Sequence, residues 1–282
     1  MNNQNITSVW KIQSYDKNKY LKTRNLINEL GLNTVCIEAN CPNRYECFSN
    51  NKATFMILGN VCTRNCLYCN VKKGLPKNVD PNEPKRISRA IKILGINYAV
   101  ITSVTRDDLK DGGAEQFVKT IREIKRLNKD CKVEVLIPDF NGDLNSLKRI
   151  VEERPDVINH NIEVVRRLFN KLRPKGDYEL SLKILKSIKE INPKIVTKSG
   201  FMVGFGENKK DIVKTIKDLK RVDCDILTVG QYLRPSKKHF PVKKYYSKRE
   251  FEEIKNIAEK IGFKKVFSGF LVRSSYKASE FL

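Results

Sequence analysis

Hydrophobic positions along the chain fall into two alternating patterns. Short apolar runs, rich in β-branched and aromatic residues and bounded by polar or turn residues, predict buried β-strands. These runs lie at 54–58, 98–103, 132–137, 156–161, 196–204 and 226–232. Amphipathic stretches that follow them predict helices at about 84–95, 114–128, 143–153, 179–191, 208–221 and 247–261. Pro84 suits a first helical turn, and Asp143 and Ser247 are predicted N-caps.

The alternation predicts six consecutive βα units, and hence an α/β fold built on a parallel sheet with helical crossovers. Six units are too few for a complete eight-stranded barrel, so a doubly wound sheet and a partial TIM-type barrel both remain possible. In either fold, catalytic residues belong at the C-terminal ends of the strands. We expect a catalytic core over 53–262, a cysteine-rich N-terminal extension over 1–52 and a C-terminal extension over 263–282.

Composition excludes several classes of protein. With 40% hydrophobic residues, the 282-residue chain can bury a sizeable core, which excludes disorder as its main state. No apolar run reaches about 18 residues, the length needed to span a membrane. Residues 1–13 lack the apolar core of a secretion signal. We therefore expect a cytoplasmic protein without a membrane partner.

The net charge of +23 admits two explanations. The lysines are scattered through amphipathic segments such as 208–221 and are not gathered into one arm or tail. They could form a solvated face and nothing more. They could also form a basic surface that attracts an acidic partner, either a nucleic acid or an acidic protein domain. The charge alone does not decide between these explanations.

Cysteine provides the clearest chemical signal. The chain has eight cysteines, and in a cytosolic protein these indicate metal or redox chemistry more than disulfides. Cys62, Cys66 and Cys69 form a C-x3-C-x2-C pattern directly after the first predicted strand, and we call them the loop triplet. Three thiolates would leave one iron of a four-iron cluster open to another ligand. Structural zinc, which prefers four closed ligands, and an ordinary electron-carrier cluster are the alternatives.

A second group of cysteines precedes the first predicted strand. Cys36, Cys41 and Cys47 form a C-x4-C-x5-C pattern within TVCIEANCPNRYEC, and we call them the N-terminal triplet. This group also lacks a fourth cysteine. Because the predicted strand at 54–58 separates the two triplets, two clusters are the preferred interpretation over one shared site. Buried thiols without a metal are the alternative for the N-terminal triplet.

Both cysteine patterns resemble known families. The loop triplet, with the aromatic Tyr68 before its last cysteine, resembles the radical S-adenosylmethionine superfamily, whose core is a partial (β/α)6 barrel. The N-terminal pattern TVC-x-EA-x-CPN-x-x-EC resembles lipoyl synthase. The resemblance continues through TSVTRDDLKDGGA (102–114), NHNIEVVRRL (159–168), KSGFMVGFGE (198–207), QYLRPSKKHFPV (231–242) and RSSYKA (273–278). Ile37, where an acidic residue is usual, is a small departure outside the proposed ligands.

The resemblance implies two [4Fe-4S] clusters and S-adenosylmethionine as cofactors. The loop triplet would hold the cluster that binds S-adenosylmethionine, and the N-terminal triplet would hold an auxiliary cluster. A serine of RSSY, preferably Ser275 and otherwise Ser274, would complete the auxiliary site. Weaker assignments as cofactor contacts fall on Tyr68, Gly112, Gly113, Asn161, Glu163, Gly204 and Gly206. His160 is expected to be a barrel-interior histidine with its hydrogen bonds satisfied.

The reaction that the resemblance implies is insertion of two sulfur atoms, at C6 and C8, into an octanoyl chain linked to a lysine of a carrier domain. Saturated C–H bonds offer no acidic proton or leaving group, so radical chemistry is required, and a cofactor supplies it. The auxiliary cluster would donate the sulfur. The implied partners are octanoylated lipoyl domains, either of a 2-oxoacid dehydrogenase E2 component or the glycine cleavage H protein. A ferredoxin- or flavodoxin-type electron donor is also implied, and no nucleic acid.

Three other proteins could share parts of this pattern. A biotin synthase-like enzyme takes its second-cluster ligands from later strands, where Cys131 and Cys224 are too few. A tRNA methylthiotransferase has an N-terminal cysteine triplet, but its cysteines are spaced far more widely over a separate domain. A non-enzymatic iron–sulfur or zinc protein that binds nucleic acid through its lysines would not cleave S-adenosylmethionine.

Overall fold

The computed structural model of the protein describes residues 15–281. The segment 1–13, on which the prediction of no secretion signal rests, lies outside these residues. The strands are β1 (Asn33–Thr34), β2 (Thr54–Ile57), β3 (Val61–Cys62), β4 (Lys72–Lys73), β5 (Tyr98–Ser103), β6 (Lys132–Leu136), β7 (Val157–Asn159), β8 (Val196–Val203), β9 (Ile226–Gln231) and β10 (Lys265–Gly269). The helices are α1 (Lys17–Glu29), α2 (Val35–Glu38), α3 (Arg44–Ser49), α4 (Glu83–Leu94), α5 (Ala114–Leu127), α6 (Leu144–Glu152), α7 (Phe169–Leu172), α8 (Tyr178–Ile191), α9 (Lys209–Arg221) and α10 (Lys248–Ile261).

The main sheet follows the order of the chain. Its eight strands lie in the order β1-β2-β5-β6-β7-β8-β9-β10, and every neighbouring pair from β2 to β10 is parallel. A doubly wound sheet would reverse its strand order at a switch point, and this sheet does not. The doubly wound alternative is therefore wrong, and the fold is a partial TIM-type barrel. The barrel is open, since β1, antiparallel to β2, and β10 are its two edges.

The six predicted βα units are confirmed as β2-α4, β5-α5, β6-α6, β7-α8, β8-α9 and β9-α10, with ends that differ by one or two residues. Pro84 lies in the first turn of α4. The Asp143 side chain accepts hydrogen bonds from the first-turn amides of α6. Ser247 caps α10 in a reciprocal arrangement with Glu250, so both predicted N-caps are confirmed.

The C-terminal extension contains a strand that the sequence pattern did not predict. β10 pairs along its whole length with β9 and adds a seventh parallel strand. Its sequence, KVFSG, includes a lysine and two small residues and is half-buried at most positions. It therefore lacks the continuous apolar run that revealed the other parallel strands.

The N-terminal extension packs against the first strand of the barrel, β2, and against α4. Phe48 of α3 is fully buried in one core with Phe55 of β2, and Thr23 of α1 donates a hydrogen bond of 2.8 Å to the Phe48 carbonyl. The C-terminal segment meets this extension, because Tyr276 donates a hydrogen bond of 2.9 Å to the Glu46 carboxylate. The two extensions thus close over one side of the core together.

Within residues 15–281, no helix combines the length and the apolar character needed to cross a bilayer.

Candidate active site

The loop triplet lines a cavity at the C-terminal ends of β2, β5, β6 and β7, and we call it the barrel cavity. Its volume is about 190 Å³. Cys62 lies in β3, and the Cys69 amide donates to the Cys66 carbonyl at 3.2 Å, which folds the loop back on itself. Tyr68 lines the same cavity. The predicted position of the chemistry, at the C-terminal strand ends, agrees with this arrangement.

Arg64, between the first two cysteines of the loop triplet, anchors the loop to the barrel. Its guanidinium donates hydrogen bonds of 2.5 and 2.7 Å to Asp139, after β6, and of 2.9 to 3.3 Å to Asp107, after β5. It also donates to the Asn141 side-chain oxygen at 2.8 Å. The side chains of Arg64 and Asp139 are 3% and 2% exposed. This bidentate pairing is the geometry that guanidinium groups favour, and it fixes the loop across two strand ends.

The Asp139–Arg64 pair stays ionised in spite of its burial, because each charge faces the other. Burial by itself disfavours the Asp139 carboxylate, but the hydrogen bonds and charge of Arg64 outweigh it and lower the pKa of Asp139 to about 2. Burial also opposes the charge on Arg64, and the two carboxylates outweigh it and raise the pKa of that guanidinium. The loop is therefore held by charges that stay in place at neutral pH.

Burial favours the neutral thiol at two cysteines of the loop triplet, Cys66 and Cys69. Burial raises the pKa of Cys69 to about 12, and burial also raises the pKa of Cys66, although the Arg173 cation partly offsets it. A metal binds thiolate and releases the proton, so these groups stay inert until a metal displaces their protons. Three soft donors around one space fit an iron–sulfur cluster.

Two residues that line the barrel cavity, His160 and Asn161, each have a buried hydrogen-bond acceptor without a partner among the described residues. Burial lowers the pKa of His160 to about 4, so the ring is neutral. His160 Nδ1 lies 2.9 Å from the Ile137 carbonyl and carries the proton, which leaves Nε2 as a buried acceptor without a partner. The expectation that His160 is fully satisfied is therefore wrong. Asn161 Oδ1 is also buried and unpartnered. A ligand with hydroxyl or amino donors, as S-adenosylmethionine has, fits both atoms.

Glu163 lies beside these acceptors in a strained conformation. Its φ of 69° is in the left-handed region, which non-glycine residues rarely adopt. The strain is fixed by backbone bonds to β8, since the Glu163 amide donates to Gly200 and its carbonyl accepts from Met202. Burial raises the pKa of the Glu163 carboxyl, and the nearby Arg173 partly offsets that rise. Such strain is frequent at ligand-binding sites.

The four glycines predicted as cofactor contacts lie outside the lining of the barrel cavity. Gly112 and Gly113 have positive φ angles, and an added Cβ would lie 2.9 Å from Phe140 and 2.3 Å from Leu58, respectively. The Gly204 amide donates to the Glu207 carboxylate at 2.7 Å. The Gly206 carbonyl accepts from Arg167. Close packing and positive φ angles explain Gly112 and Gly113, and the role of all four glycines in binding the cofactor stays a prediction.

The N-terminal triplet lines a different cavity, which we call the N-terminal cavity. Its volume is also about 190 Å³, and Ser275 lines it together with Cys36, Cys41 and Cys47. Burial raises the pKa of Cys36 to about 12, and the neighbouring Cys41 raises it further. Val35 lines both this cavity and the barrel cavity, so the two cavities adjoin at this residue.

The two serines of the RSSY segment point to different surroundings. Ser275 lines the N-terminal cavity, whereas Ser274 accepts a hydrogen bond of 2.8 Å from Asn161 Nδ2. Ser274 also lines a small cavity of about 60 Å³ that shares Asn161 with the barrel cavity. The segment reaches this position because Gly230 of β9 has no side chain, since a Cβ there would lie 2.2 Å from the Val272 carbonyl oxygen.

Neither triplet forms a site for a single ion. Across the part of the chain that the structure describes, no group of three His, Cys, Asp or Glu side chains is arranged to hold one metal ion. The cysteines instead surround two cavities. Three thiols around each cavity are donors of the kind that hold an iron–sulfur cluster.

Several residues of the site gave no separate signal in the sequence. Arg173, 9% exposed, donates to the Asn161 carbonyl and affects the ionisation of Cys66 and Glu163, yet it lies in a short helical connection. The pairing of Arg64 with Asp139 spans 75 positions. The position of Arg64 between two cysteines was its one available clue.

The fold and the loop triplet define a radical S-adenosylmethionine enzyme, and comparison with known proteins agrees. Residues 56–219 match the radical SAM superfamily. Among solved structures, methylornithine synthase superposes with a TM-score of 0.55 at 13% identity, covering 89% of this chain and 85% of that chain. SuiB of Streptococcus suis, bound to S-adenosylmethionine, superposes with a TM-score of 0.61 at 14% identity, covering 89% and 60%. At such low identity, these likenesses show the fold.

Relatives of higher identity define the family. The protein named lipoyl synthase in Caldicellulosiruptor saccharolyticus is 56% identical to this chain, over 90% of this chain and 90% of that protein. The one in Alkaliphilus metalliredigens is 52% identical, over 92% of this chain and 89% of that protein. The one from Aquifex aeolicus is 53% identical (94% and 96%). The chain belongs to the lipoyl synthase family. It is accordingly a radical SAM sulfurtransferase whose cofactors are [4Fe-4S] clusters and S-adenosylmethionine.

Proposed function

We propose that the chain replaces one C–H bond at C6 and one at C8 of a protein-bound octanoyl-lysine with C–S bonds, which gives the lipoyl group. The observation that carries this proposal is the meeting of Ser275 with the N-terminal triplet in one cavity. A radical enzyme with one cluster needs only the three-cysteine site. The second site of four donors beside it distinguishes a sulfur-inserting enzyme from such a one-cluster enzyme. The family membership supports the same reaction.

The two triplets have different roles in this proposal. The loop triplet holds a [4Fe-4S] cluster with one iron open to S-adenosylmethionine. The N-terminal triplet and Ser275 hold the auxiliary cluster, and the serine oxygen, a harder donor than thiolate, is its weakest protein ligand. When bound, the clusters and S-adenosylmethionine supply the radical that breaks the C–H bonds and the sulfide that replaces the hydrogen.

The remaining residues of the site hold the cysteine loop in position and orient the ligand. Arg64 holds the cysteine loop on the barrel through Asp139 and Asp107. His160 keeps its proton on Nδ1, toward the Ile137 carbonyl, so Nε2 accepts a hydrogen bond from the ligand. Asn161 offers Oδ1 in the same way and uses its amide nitrogen to hold Ser274. Fixed acceptors of this kind orient a ligand without reorganisation.

The carrier and electron donor follow from the same proposal. The substrate is presented by a lipoyl domain, either of a 2-oxoacid dehydrogenase E2 component or the glycine cleavage H protein. A ferredoxin- or flavodoxin-type protein supplies the electrons. We place the reaction in the cytoplasm, where a chain with eight free thiols stays reduced.

Cysteine variants separate the two roles. The protein is reconstituted anaerobically with iron and sulfide, reduced, and given S-adenosylmethionine with an octanoylated carrier peptide. Cys41→Ala should still cleave S-adenosylmethionine but insert no sulfur, whereas Cys66→Ala should do neither. Sulfur insertion by Cys41→Ala would refute the donor role of the N-terminal site.

The serine assignment has a matched pair of variants. Ser275→Ala should lose iron from the auxiliary site to a chelator faster than the wild type, because the site keeps only three protein ligands. Ser274→Ala, one residue earlier, should retain the auxiliary iron. The reverse order of iron loss would assign the ligand to Ser274.

A further inference from the structure

The segment that runs from β3 to β4 carries the loop triplet, and we call it the cysteine loop. On its outward side, a large apolar side chain is exposed among lysines. Leu75 is 89% exposed, the highest value among the exposed large hydrophobic side chains of the described residues. Lys72, Lys73 and Lys77 surround it in sequence, and all three are exposed. β4 pairs with β3, and the Gly74 amide donates to the carbonyl of Cys62 at 3.1 Å. Leu75 therefore follows β4 directly and lies beside the base of the loop whose cysteines line the barrel cavity.

Two other lysine-bearing loops are bonded to the same cysteine loop. Lys175 Nζ donates to the Thr63 carbonyl at 3.2 Å. The Phe240 amide donates to the Leu67 carbonyl at 3.0 Å, and Lys171 Nζ lies 5.4 Å from the centre of the Phe240 ring. Leu67 is itself 38% exposed. The loops around 171–175 and 237–240 thus border the outward side of the cysteine loop.

We call the exposed cations of these three loops the lysine rim: Lys72, Lys73, Lys77, Lys171, Lys175, Lys237 and Lys238. None of them forms an ion pair with a carboxylate inside the 15–281 range. Some lysines on the helices differ in this respect, since Lys119 pairs with Glu115 on α5 and Lys186 pairs with Glu190 on α8. The positive charge at the rim is therefore uncompensated within the described structure.

We infer that the lysine rim and Leu75 form the docking surface for the protein that carries the substrate, and that the carrier presents an acidic surface around its octanoyl-lysine. This inference rests on the proposed function. An octanoyl-lysine is short compared with a protein domain, so the carrier must contact the enzyme where the acyl chain enters. Uncompensated cations there select an acidic partner and speed its association, and an exposed leucine supplies an apolar contact.

Binding and turnover together test this surface. The reconstituted enzyme, reduced chemically, is titrated with an octanoylated acidic carrier domain, and its turnover is compared on that domain and on a short uncharged octanoyl-lysine peptide. Lys72→Glu/Lys73→Glu should weaken carrier binding by about tenfold or more at low salt, and added salt should narrow the difference. Leu75→Ser should weaken binding by about fivefold to tenfold at any salt concentration. Turnover of the peptide should remain that of the wild type.

A control variant makes the same change in charge elsewhere. Lys85→Glu/Arg89→Glu reverses two exposed cations on α4 that form no ion pair with another described residue, and it should leave carrier binding unchanged. Equal loss in the control and the rim variant would overturn the inference, because net charge alone would then explain the effect. Tighter binding of a tRNA than of the carrier at the rim would also overturn it.

Other outcomes are distinguishable from these. Because the reductant is chemical, a surface used only by a protein electron donor would leave carrier binding intact in the rim variant, which would also refute the inference. Failure of the wild type to insert sulfur into either substrate would instead refute the proposed function.

Discussion

Replacing Arg64 by Met should destabilise the chain and loosen the cysteine loop together. The substitution keeps much of the side-chain volume but leaves the Asp139 carboxylate buried without its partner. Breaking a buried ion pair by removing one member typically lowers the free energy of unfolding by about 3–5 kcal/mol. The depression of the pKa of Asp139 from 3.8 to about 2 corresponds to about 2 kcal/mol, which lies somewhat below that range.

The effect depends on pH in a defined direction. Because folding depresses the pKa of Asp139, the stabilisation is fully present above 3.8 and is lost as the pH falls toward about 2. The difference between the wild type and Arg64→Met should therefore narrow over this window. Urea unfolding of the metal-free chain, followed by circular dichroism, measures both the loss and its pH dependence.

Two further variants separate the charge from the packing. Arg64→Met/Asp139→Asn should recover at least half of the lost stability, since no buried charge remains unpaired. Arg122→Met removes an exposed pair with Glu153 and should leave the unfolding midpoint unchanged. Stability of Arg64→Met within about 1 kcal/mol of the wild type, together with normal iron at the loop triplet, would refute the anchoring role of Arg64.

Two other predictions follow from buried positions of the barrel. Lys198→Met should lower the unfolding free energy by about 3–5 kcal/mol, because it leaves the fully buried Glu134 carboxylate without its ion-pair partner. The double variant Lys198→Met/Glu134→Gln should recover most of the lost stability. No recovery in urea unfolding would argue against the broken ion pair as the cause. Gly113→Ala should cost about 1–3 kcal/mol, because its φ is 90° and the new Cβ would lie 2.3 Å from Leu58. A thermal midpoint equal to that of the wild type would show that the loop relaxes freely.

The sequence predicted the strands of the barrel because both of their faces are buried. The run at 98–103 begins with four hydrophobic residues, and the structure has β5 at Tyr98–Ser103. β10 was missed because its mixed sequence is stabilised mainly by pairing with β9. α2 and α3 were missed because helices of four and six residues, each containing a cysteine, are too short to show a helical hydrophobic repeat.

The candidate site was predictable where spacing along the chain determines it. The cysteines of each triplet lie close in sequence, and the structure places each triplet in one cavity. Contacts between distant segments were not predictable in this way. The separation of Ser274 from Ser275 depends on Asn161, 113 positions earlier, and on the close approach of the segment to Gly230. The unpartnered Nε2 of His160 likewise depends on the three-dimensional packing.

The most direct test of the account is the number of iron atoms and the kind of cluster in the anaerobically reconstituted chain. Two sites predict about eight irons per chain, with the Mössbauer signature of two [4Fe-4S] clusters. Replacing Cys36, Cys41 and Cys47 by Ala should leave about four irons and preserve the cleavage of S-adenosylmethionine. About four irons in the wild type, or zinc bound in place of iron, would contradict the account.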